Sequence, residues 1–351
     1  MQTDSAILAM DIGAGTQDIL LYEPGRPMEN CVQLILPSPT VVAARRVMRA
    51  THAGQRIFLT GNLMGGGPLV WAVRAHLNAG LAAFATPLAA LTLHDDPEQI
   101  TQLGLRIVAE PPDDVEPVSL RDVDLPTLSV ALAPYGVELP RTVAVAVQDH
   151  GFSPRSSNRA FRFAHWRRFV EGGGDIHDLL YREPPSYLTR MQAVRRDAPG
   201  AYVMDTGAAA IWGALGDEEV ARHRDEGLVI VNVGNAHAIA VLLQGSRVRG
   251  LFEQHTGSLT GEQLGALVER LRAGQVTNEE VFAAGGHGAY VAPGFDASNG
   301  YRFVAVTGPN RGLAAGLGYY LAAPYGDMML AGCFGLVAAV RSFVEQSEDR
   351  E

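Results

Sequence analysis

The stretch AMDIGAGTQDILLY (residues 9–22) joins two apolar strands through a glycine-rich turn. Asp11 stands at the end of the first strand, where a carboxylate can hold a hydrated metal ion. Gly13 and Gly15 have no side chains, so backbone N–H groups can approach phosphate oxygens, and Thr16 adds a hydroxyl group. The stretch therefore predicts a hairpin that binds phosphate and a metal ion. The alternative is an ordinary glycine hairpin with a solvated aspartate.

A second stretch, LVIVNVGNAHAIAVLL (residues 228–243), repeats this design. Asn232 stands near the end of its first strand, Gly234 and Asn235 form the turn, and a second apolar strand follows. Two such turns facing each other from two lobes would hold a polyphosphate from both sides. A hairpin that only pairs strands is the alternative, but the repeated geometry favours the phosphate site.

The length of 351 residues predicts two domains, since domains average about 150 residues. A repeated strand–turn–strand unit is typical of a duplicated fold. We therefore interpret residues 1–216 as an N-terminal lobe and residues 227–351 as a C-terminal lobe, separated by the charged run 217–226. The arginine- and glycine-rich residues 153–185 are interpreted as an insertion in the first lobe.

Apolar patterning predicts further elements of an α/β fold. Residues 142–147 (TVAVAV) predict a buried strand, and residues 261–272 predict a helix. Residues 95–126 are rich in proline and acidic side chains, so they predict loops with one short strand at 105–109.

Two later stretches are rich in small residues. FVAVTGPNRGLAAG (303–316) predicts a buried strand followed by a small-residue segment. APYGDMMLAGCFGLVAAV (323–340) predicts a helix on which Gly332 and Gly335 form a smooth face for close packing. Core packing accounts for either stretch taken alone.

Two aspartates are candidates for the catalytic base. Asp149 follows the strand at 142–147, and a carboxylate at a strand end could position water or accept a proton. Asp205 precedes a small-residue helix in AYVMDTGAAAIWGAL (201–215), which resembles the place in sugar kinases of the aspartate that takes the proton from the accepting hydroxyl, so Asp205 is the rival candidate. For each of them, a helix N-cap or a loop carboxylate is the alternative.

Residues 154–169 (PRSSNRAFRFAHWRRF) contain five arginines and four aromatic residues. They could bind an acidic or phosphorylated partner or stack on single-stranded nucleic acid. An amphipathic helix with its arginines in water is the favoured alternative. His150, His255 and His287 lie beside turns and could reach a cleft, but we expect satisfied surface histidines, since no metal-binding spacing such as HExxH is present.

The composition excludes several classes of protein. The chain contains no lysine, and all 28 basic residues are arginine. P-loop NTPases, the usual protein kinases and pyridoxal phosphate enzymes each need a lysine, so these classes are excluded. The net charge of −10 argues against general binding to nucleic acid or to anionic membranes.

The cysteine content and the apolar runs indicate the compartment. Cys31 and Cys333 are the two cysteines, too few for a disulfide framework or an iron–sulfur cluster within one chain. The first apolar run ends at Asp11, unlike a signal peptide, and the late run 328–340 is too short to span a bilayer. A cytoplasmic protein is therefore expected.

The motifs together resemble those of the actin, sugar-kinase and heat-shock ATPase superfamily, in the expected order. The stretch 9–22 looks like its first phosphate motif and 228–243 like its second, while VAVTGPN (304–310) is similar to its adenosine motif. The resemblance implies two ribonuclease-H-like lobes with a nucleotide cleft between them. It also implies that Gly308 and Asn310 contact the nucleotide.

More narrowly, the sequence resembles an archaeal and bacterial family labelled pyruvate formate-lyase activating enzyme. Three stretches carry this resemblance: DIGAGTQDILLY, VAVTGPNRG and PYGDMMLAGCFGL. That label implies radical chemistry on an iron–sulfur cluster held by three clustered cysteines, which this chain lacks. The sequence also departs from the superfamily motif, because Asn232 replaces the usual aspartate and no threonine stands at 235–237. Loss of a carboxylate weakens metal binding.

Two functions follow as hypotheses. The first is an ATPase or phosphotransferase, in which Asp11 holds Mg²⁺ and the residues of the two turns bind the phosphates of ATP. In this hypothesis Asp205 or Asp149 orients the nucleophile. The second is a non-enzymatic protein that binds a nucleotide or another phosphorylated small molecule, closes its lobes and presents a surface to a protein partner.

Overall fold

The computed structural model describes residues 5–298 and 300–348, in which three sheets are packed with helices. The strands are β1 (Ile7–Ile12), β2 (Thr16–Tyr22), β3 (Val32–Pro37), β4 (Arg56–Gly61), β5 (Ala83–Ala85), β6 (Arg106–Ile107), β7 (Val115–Leu120), β8 (Thr142–Val147), β9 (Tyr202–Met204), β10 (Leu228–Val233), β11 (His237–Gln244), β12 (Arg247–His255), β13 (Gly288–Val291), β14 (Phe303–Thr307) and β15 (Tyr320–Leu321). The helices are α1 (Pro39–His52), α2 (Gly67–Asn78), α3 (Pro87–Ala90), α4 (Pro97–Gln102), α5 (Leu125–Leu132), α6 (Asn158–Glu171), α7 (Thr189–Asp197), α8 (Thr206–Ala214), α9 (Glu218–Arg222), α10 (Gly261–Arg272), α11 (Asn278–Ala283) and α12 (Ala331–Glu348). Within these ranges, no helix is long and apolar enough to cross a membrane.

The first sheet has the strand order β3-β2-β1-β8-β9, with β1 at its centre. Strands β1, β2 and β3 are antiparallel neighbours, whereas β8 and β9 continue the sheet in parallel. Along β1, Ile7 and Ala9 enter one apolar core while Leu8 and Met10 enter another. Burial on both faces explains why this strand is a continuous apolar run until Asp11.

The second sheet repeats the first. Its order is β13-β12-β11-β10-β14-β15, in which β10, β11 and β12 form the antiparallel part and β14 and β15 continue in parallel. Strand β13 is an additional edge strand. The two sheets therefore share one topology, a three-stranded antiparallel meander followed by parallel strands. The prediction of two ribonuclease-H-like lobes in an actin-like ATPase fold is confirmed.

The third sheet, β6-β5-β4-β7, comes from the chain between β3 and β8. Here the expectation for residues 95–126 is wrong in part, because these residues include helix α4 and strand β7 as well as the short strand β6. β7 has the sequence VEPVSL, in which Val118 and Leu120 are buried while Glu116 and Pro117 are exposed. A proline and an acidic residue obscured its apolar pattern, and an edge strand tolerates both.

Helices α8 and α12 pack backbone to backbone. A Cβ atom added to Gly213 of α8 would lie 1.7 Å from the carbonyl oxygen of Ala331, and one added to Gly335 of α12 would lie 1.9 Å from that of Ala209. The remaining positions of α8 from Gly207 to Ala214 are also buried. Small residues are therefore required at this contact, as the smooth helix face predicted.

Replacing Gly335 with alanine should force α8 and α12 apart. Overpacking of this kind costs about 1–3 kcal/mol, so we expect Gly335→Ala to lower the melting temperature by several degrees. Gly312→Ala is the matched control, because a Cβ atom there meets no heavy atom within 4 Å. Equal melting temperatures for the two variants would contradict the close packing of these helices.

Candidate functional site

The two glycine turns have the same hydrogen-bond pattern. The N–H of Gly13 donates to the carbonyl of Thr16 at 2.9 Å, and the N–H of Gly234 donates to the carbonyl of His237 at 2.9 Å. Asp11 and Asn232 occupy the same place, one residue before the end of β1 and of β10. The duplication seen in the sheets thus extends to the atoms of the turns.

Each turn is also held by an equivalent hydroxyl residue. Ser38, which follows β3, donates its hydroxyl to the carbonyl of Gly13 at 2.6 Å and its N–H to the carbonyl of Gly15 at 3.0 Å. Thr256, which follows β12, donates its hydroxyl to the carbonyl of Gly234 at 2.8 Å and its N–H to that of Ala236 at 2.9 Å. The carbonyl oxygens of both turns are therefore bound by the protein itself.

The two turns face each other across a cavity of about 340 Å³. They approach closely, because a Cβ atom added to Gly15 would lie 3.0 Å from Nδ2 of Asn235. This volume is within the range of small-molecule sites. Eight of the predicted site residues line the cavity: Asp11, Gly13, Thr16, Asp149, Asn232, Gly234, Asn235 and Gly308.

Three predicted site residues, Gly15, Asp205 and Asn310, are not among the residues that line the cavity. Gly15 lies against Asn235, and Asn310 donates from its side chain to the carbonyl of Gly234 at 3.0 Å. Asp205 binds a cavity-lining arginine, Arg162. These three residues adjoin the cavity through residues that line it.

Asp11 and Asp18 are cross-strand partners on β1 and β2, and both line the cavity. The Oδ1 atom of each is buried without a hydrogen-bond partner in the described part of the chain. Burial, and secondly the charge of Asp18, raises the pKa of Asp11 well above its usual range. Burial raises the pKa of Asp18 to about 7, although a hydrogen bond with Thr16 opposes the shift. Two desolvated carboxylates on directly paired positions of neighbouring strands need a proton or a cation between them.

The two candidate bases differ in their surroundings. Asp149 is buried, and its two oxygens accept the N–H groups of Gly151 at 2.8 Å and Met191 at 2.9 Å. Burial raises its pKa to about 6, against these hydrogen bonds. Asp205 is the N-cap of α8, accepting the N–H of Gly207 at 3.0 Å, and Arg162 binds both of its oxygens. Asp149 is therefore the carboxylate with more freedom to exchange a proton.

The expectation that the arginines of residues 154–169 lie in water is wrong for Arg162. Its side chain is 4 % exposed, and its guanidinium contacts Asp205 of the first lobe at 2.7 Å and Glu253 of the second at 2.8 Å. It also donates to the carbonyl of Asp149 at 2.9 Å. Burial alone would raise the pKa of Glu253, but Arg162 holds it below its usual value. A buried arginine is retained here because two carboxylates pair with it.

A second cavity-lining arginine is Arg190 of α7. Asp122 binds its Nε at 2.7 Å and its Nη2 at 2.9 Å, while the carbonyl of Gln148 accepts from its Nη1 at 2.9 Å. These three contacts engage three of the five N–H donors of a guanidinium. The remaining donors are the ones that a ligand in the cavity could use.

Four histidines pack together beside the cavity, and the expectation of satisfied surface histidines is wrong for His287. The ring centroid of His237 lies 4.6 Å from that of His255 and 4.9 Å from that of His287, while His150 and His287 are 5.4 Å apart. His287 is completely buried. Imidazole nitrogens of His150, His237 and His287 all lie within 4.8 Å of one another.

Sequence reasoning missed several of these residues, and only some had a signal. In a hairpin whose turn is closed by Gly13 and Thr16, residues 11 and 18 must pair, so Asp18 could have been found from the turn alone. The pairing of His237 with His255 had no such signal, because a β-bulge between Leu242 and Leu243 shifts the register of β11 and β12 by one residue. Arg162 had no local signal, because its partners lie 43 and 91 residues away.

Three solved structures are similar to this chain. The activator of the 2-hydroxyisocaproyl-CoA dehydratase from Clostridium difficile, with bound ADPNP, is 8 % identical and has a TM-score of 0.39, covering 99 % of this chain and 98 % of its own. The ethanolamine utilization protein EutJ from Carboxydothermus hydrogenoformans is 10 % identical with a TM-score of 0.33, covering 94 % and 88 %. The ROK hexokinase from Thermus thermophilus is 12 % identical with a TM-score of 0.31, covering 98 % and 99 %.

Comparison with curated proteins gives no match. One family model matches residues 64–313, which is more than half of the chain. The matched segment contains both candidate bases, the second glycine turn and the motif VAVTGPNRG (304–312). The chain therefore belongs to the family described as "Putative pyruvate format-lyase activating enzyme (DUF1786)".

Proposed function

We propose that the chain binds ATP or ADP with Mg²⁺ in the cavity between its lobes and acts as an ATPase or a phosphotransferase on a small substrate. One observation carries the proposal: two equivalent glycine turns face each other across one cavity, and two desolvated carboxylates lie on one of its walls. A polyphosphate held between the turns would meet backbone N–H groups from both lobes.

Asp11 and Asp18 fit a magnesium ion. Mg²⁺ prefers oxygen ligands, and the Oδ1 atoms of these two carboxylates lack a partner in the described residues. The ion, when bound, would neutralise negative charge on the phosphates. Asn232 occupies the equivalent place in the second lobe and offers an amide instead of a carboxylate, so we assign the magnesium ion to the first lobe alone.

Arg190 supplies the cationic group that lysine provides in other phosphate sites. Its guanidinium lines the cavity and is oriented by Asp122 and by the carbonyl of Gln148. An arginine held in this way can bind phosphate oxygens without first losing side-chain freedom. We propose Asp149 as the base, since its raised pKa is close to neutral pH, and Asp205 as the residue that positions Arg162.

The second candidate function is nucleotide binding without turnover, coupled to a protein partner. The observation that favours it is the number of contacts that already engage the candidate bases. Asp205 accepts from Arg162 and from a backbone N–H, and Asp149 accepts two backbone N–H groups. A chain that binds ATP and does not turn it over would have this second function.

The binding proposal is tested by thermal shift. We expect Mg·ATP or Mg·ADP at about 100 times its dissociation constant to stabilise the protein by about 2.7 kcal/mol. Asp11→Asn should lose the magnesium-dependent part of this stabilisation, whereas Asp113→Asn, which changes an exposed carboxylate in a loop, should keep it. No shift at millimolar nucleotide and Mg²⁺ would reject the site.

Steady-state ATP turnover separates the two functions. If the protein is an enzyme, Asp149→Asn should lower turnover at least about 100-fold while the thermal shift with Mg·ATP persists, because general base catalysis contributes about 10²–10⁴-fold. Wild-type protein that binds nucleotide and shows no turnover with any phosphoryl acceptor tested would favour the second function.

The carboxylate pair predicts a pH dependence of stability. A raised folded-state pKa means that folded Asp18 keeps its proton between pH about 4 and 7, where the unfolded chain has released it. Its contribution to stability is therefore present at low pH and lost as pH rises through about 7. We expect the melting temperature of wild type to fall relative to that of Asp18→Asn as the pH rises from 5 to 8, that is, from inside the window to about 1 unit above its upper end.

Magnesium should reduce this pH-dependent difference in melting temperature between wild type and Asp18→Asn, because the ion takes the place of the proton. Asp113→Asn serves again as the control and should follow the wild-type profile, since its carboxylate is exposed. Parallel profiles for wild type and Asp18→Asn, with and without Mg²⁺, would show that the two carboxylates are not coupled to a cation.

The proposed function does not include the radical chemistry that the family label implies. Cys333 is buried, and burial, followed by the charges of Asp11 and Asp18, raises the pKa of its thiol well above the usual value. Cluster ligands are thiolates, so this thiol is poorly suited to iron. After anaerobic reconstitution with iron and sulfide, we expect a colourless protein that does not cleave S-adenosylmethionine. A visible absorbance that disappears in Cys31→Ser would contradict this expectation.

A further inference from the structure

Three histidines from separate segments converge beside the cavity. His150 follows β8, His237 begins β11, and His287 immediately precedes β13. The Nε2 atoms of His150 and His287 are 3.3 Å apart, and a nitrogen of His237 lies within 4.8 Å of a nitrogen on each of the others. Two nitrogens bound at about 2.05 Å to a tetrahedral zinc ion are about 3.3 Å apart, so the His150–His287 separation already suits a shared metal ion.

The protein leaves a nitrogen of this cluster without a partner. Nε2 of His237 is buried and makes no hydrogen bond within the described residues. Nε2 of His150 and Nε2 of His287 contact each other at 3.3 Å. A buried polar atom without a partner costs free energy, and a metal ion would remove that cost for a nitrogen aimed at it.

The protonation state of the cluster suits metal binding. Burial, followed by the charge of Arg162, lowers the pKa of His150 well below its usual value and that of His287 to about 2. Burial lowers the pKa of His237 to about 4. Neutral imidazole is the form that coordinates metal ions, and burial favours that form at each of these positions.

The charges around the cluster also permit a cation. Arg162 is positive, but Asp205 and Glu253 both bind it. Arg159 beside His287 adds a second positive charge, so these two arginines and two carboxylates together are about neutral at neutral pH. An oxygen of Glu253 lies 4.0 Å from Nδ1 of His287. A carboxylate beside the second nitrogen of a ligating histidine is a common outer partner in zinc sites.

We propose that His150, His237 and His287 form a three-histidine site for a transition-metal ion of the zinc class, separate from the magnesium ligands Asp11 and Asp18. Imidazole ligands favour Zn²⁺ over Mg²⁺, which prefers oxygen. His150 and His237 line the cavity, so an ion held by these residues would lie beside it, where water or a ligand could take a fourth coordination position. Three protein ligands with an open fourth position are typical of catalytic zinc sites, where bound water becomes acidic near neutral pH. The site does not depend on the nucleotide proposal.

The test is a titration of chelator-treated, nucleotide-free protein with Zn²⁺ and with Co²⁺, in the presence of millimolar Mg²⁺. We expect one ion per chain by calorimetry and, for Co²⁺, visible absorption bands of a four- or five-coordinate site. His150→Gln, His237→Gln and His287→Gln should each weaken binding by about 100-fold or more, since even outer-partner mutations cost 10–100-fold.

The controls separate ligands from neighbours. His255→Gln changes a histidine whose ring packs 4.6 Å from His237 but which is not one of the three converging residues, so it should keep one bound ion and the Co²⁺ spectrum. Circular dichroism without metal checks that each variant is folded. Absence of a stoichiometric ion in wild type would overturn the proposal whatever the variants do. Loss of binding in His255→Gln with retention in the other three variants would do the same.

Discussion

The buried guanidinium of Arg162 is the group on which the geometry of this site depends. It binds Asp205 at the start of α8 in the first lobe and Glu253 on β12 in the second, and it donates to the backbone at Asp149. Removing one member of a buried ion group leaves the others unpaired, at a cost of about 3–5 kcal/mol. Separation of the two lobes at this point would therefore expose a charged side chain to solvent or leave it buried and unpaired. Since these partners adjoin the candidate base and the histidine cluster, the ion group positions both.

The two lobes have equivalent backbones but different side chains. Gly13 corresponds to Gly234, and Ser38 corresponds to Thr256, so the turns keep the same hydrogen bonds. At the neighbouring positions, however, the cross-strand pair Asp11–Asp18 is replaced by Asn232 and Ile239, and Thr16 is replaced by His237.

The cavity consequently has two chemically distinct walls. One presents carboxylates, which suit a hard cation such as Mg²⁺, and the other contributes His237, which meets His150 from the first lobe and offers imidazoles that suit a softer transition metal. The asymmetry is what allows the phosphate-binding role and the three-histidine site to be proposed for the same cavity without competing for ligands.

By itself the sequence determined the local structure. Apolar runs interrupted by glycine turns predict hairpins because strand burial and turn conformation depend on neighbouring residues, and the repeat of that pattern at 228–243 was enough to predict two lobes. The cross-strand partner of Asp11 also follows from the turn. Tertiary structure alone decided the pairing of Arg162 with carboxylates 43 and 91 residues away and the meeting of His150, His237 and His287. These side chains come from segments that are distant along the chain. Their burial is stable only when their partners are buried with them, so no local sequence pattern predicts these contacts.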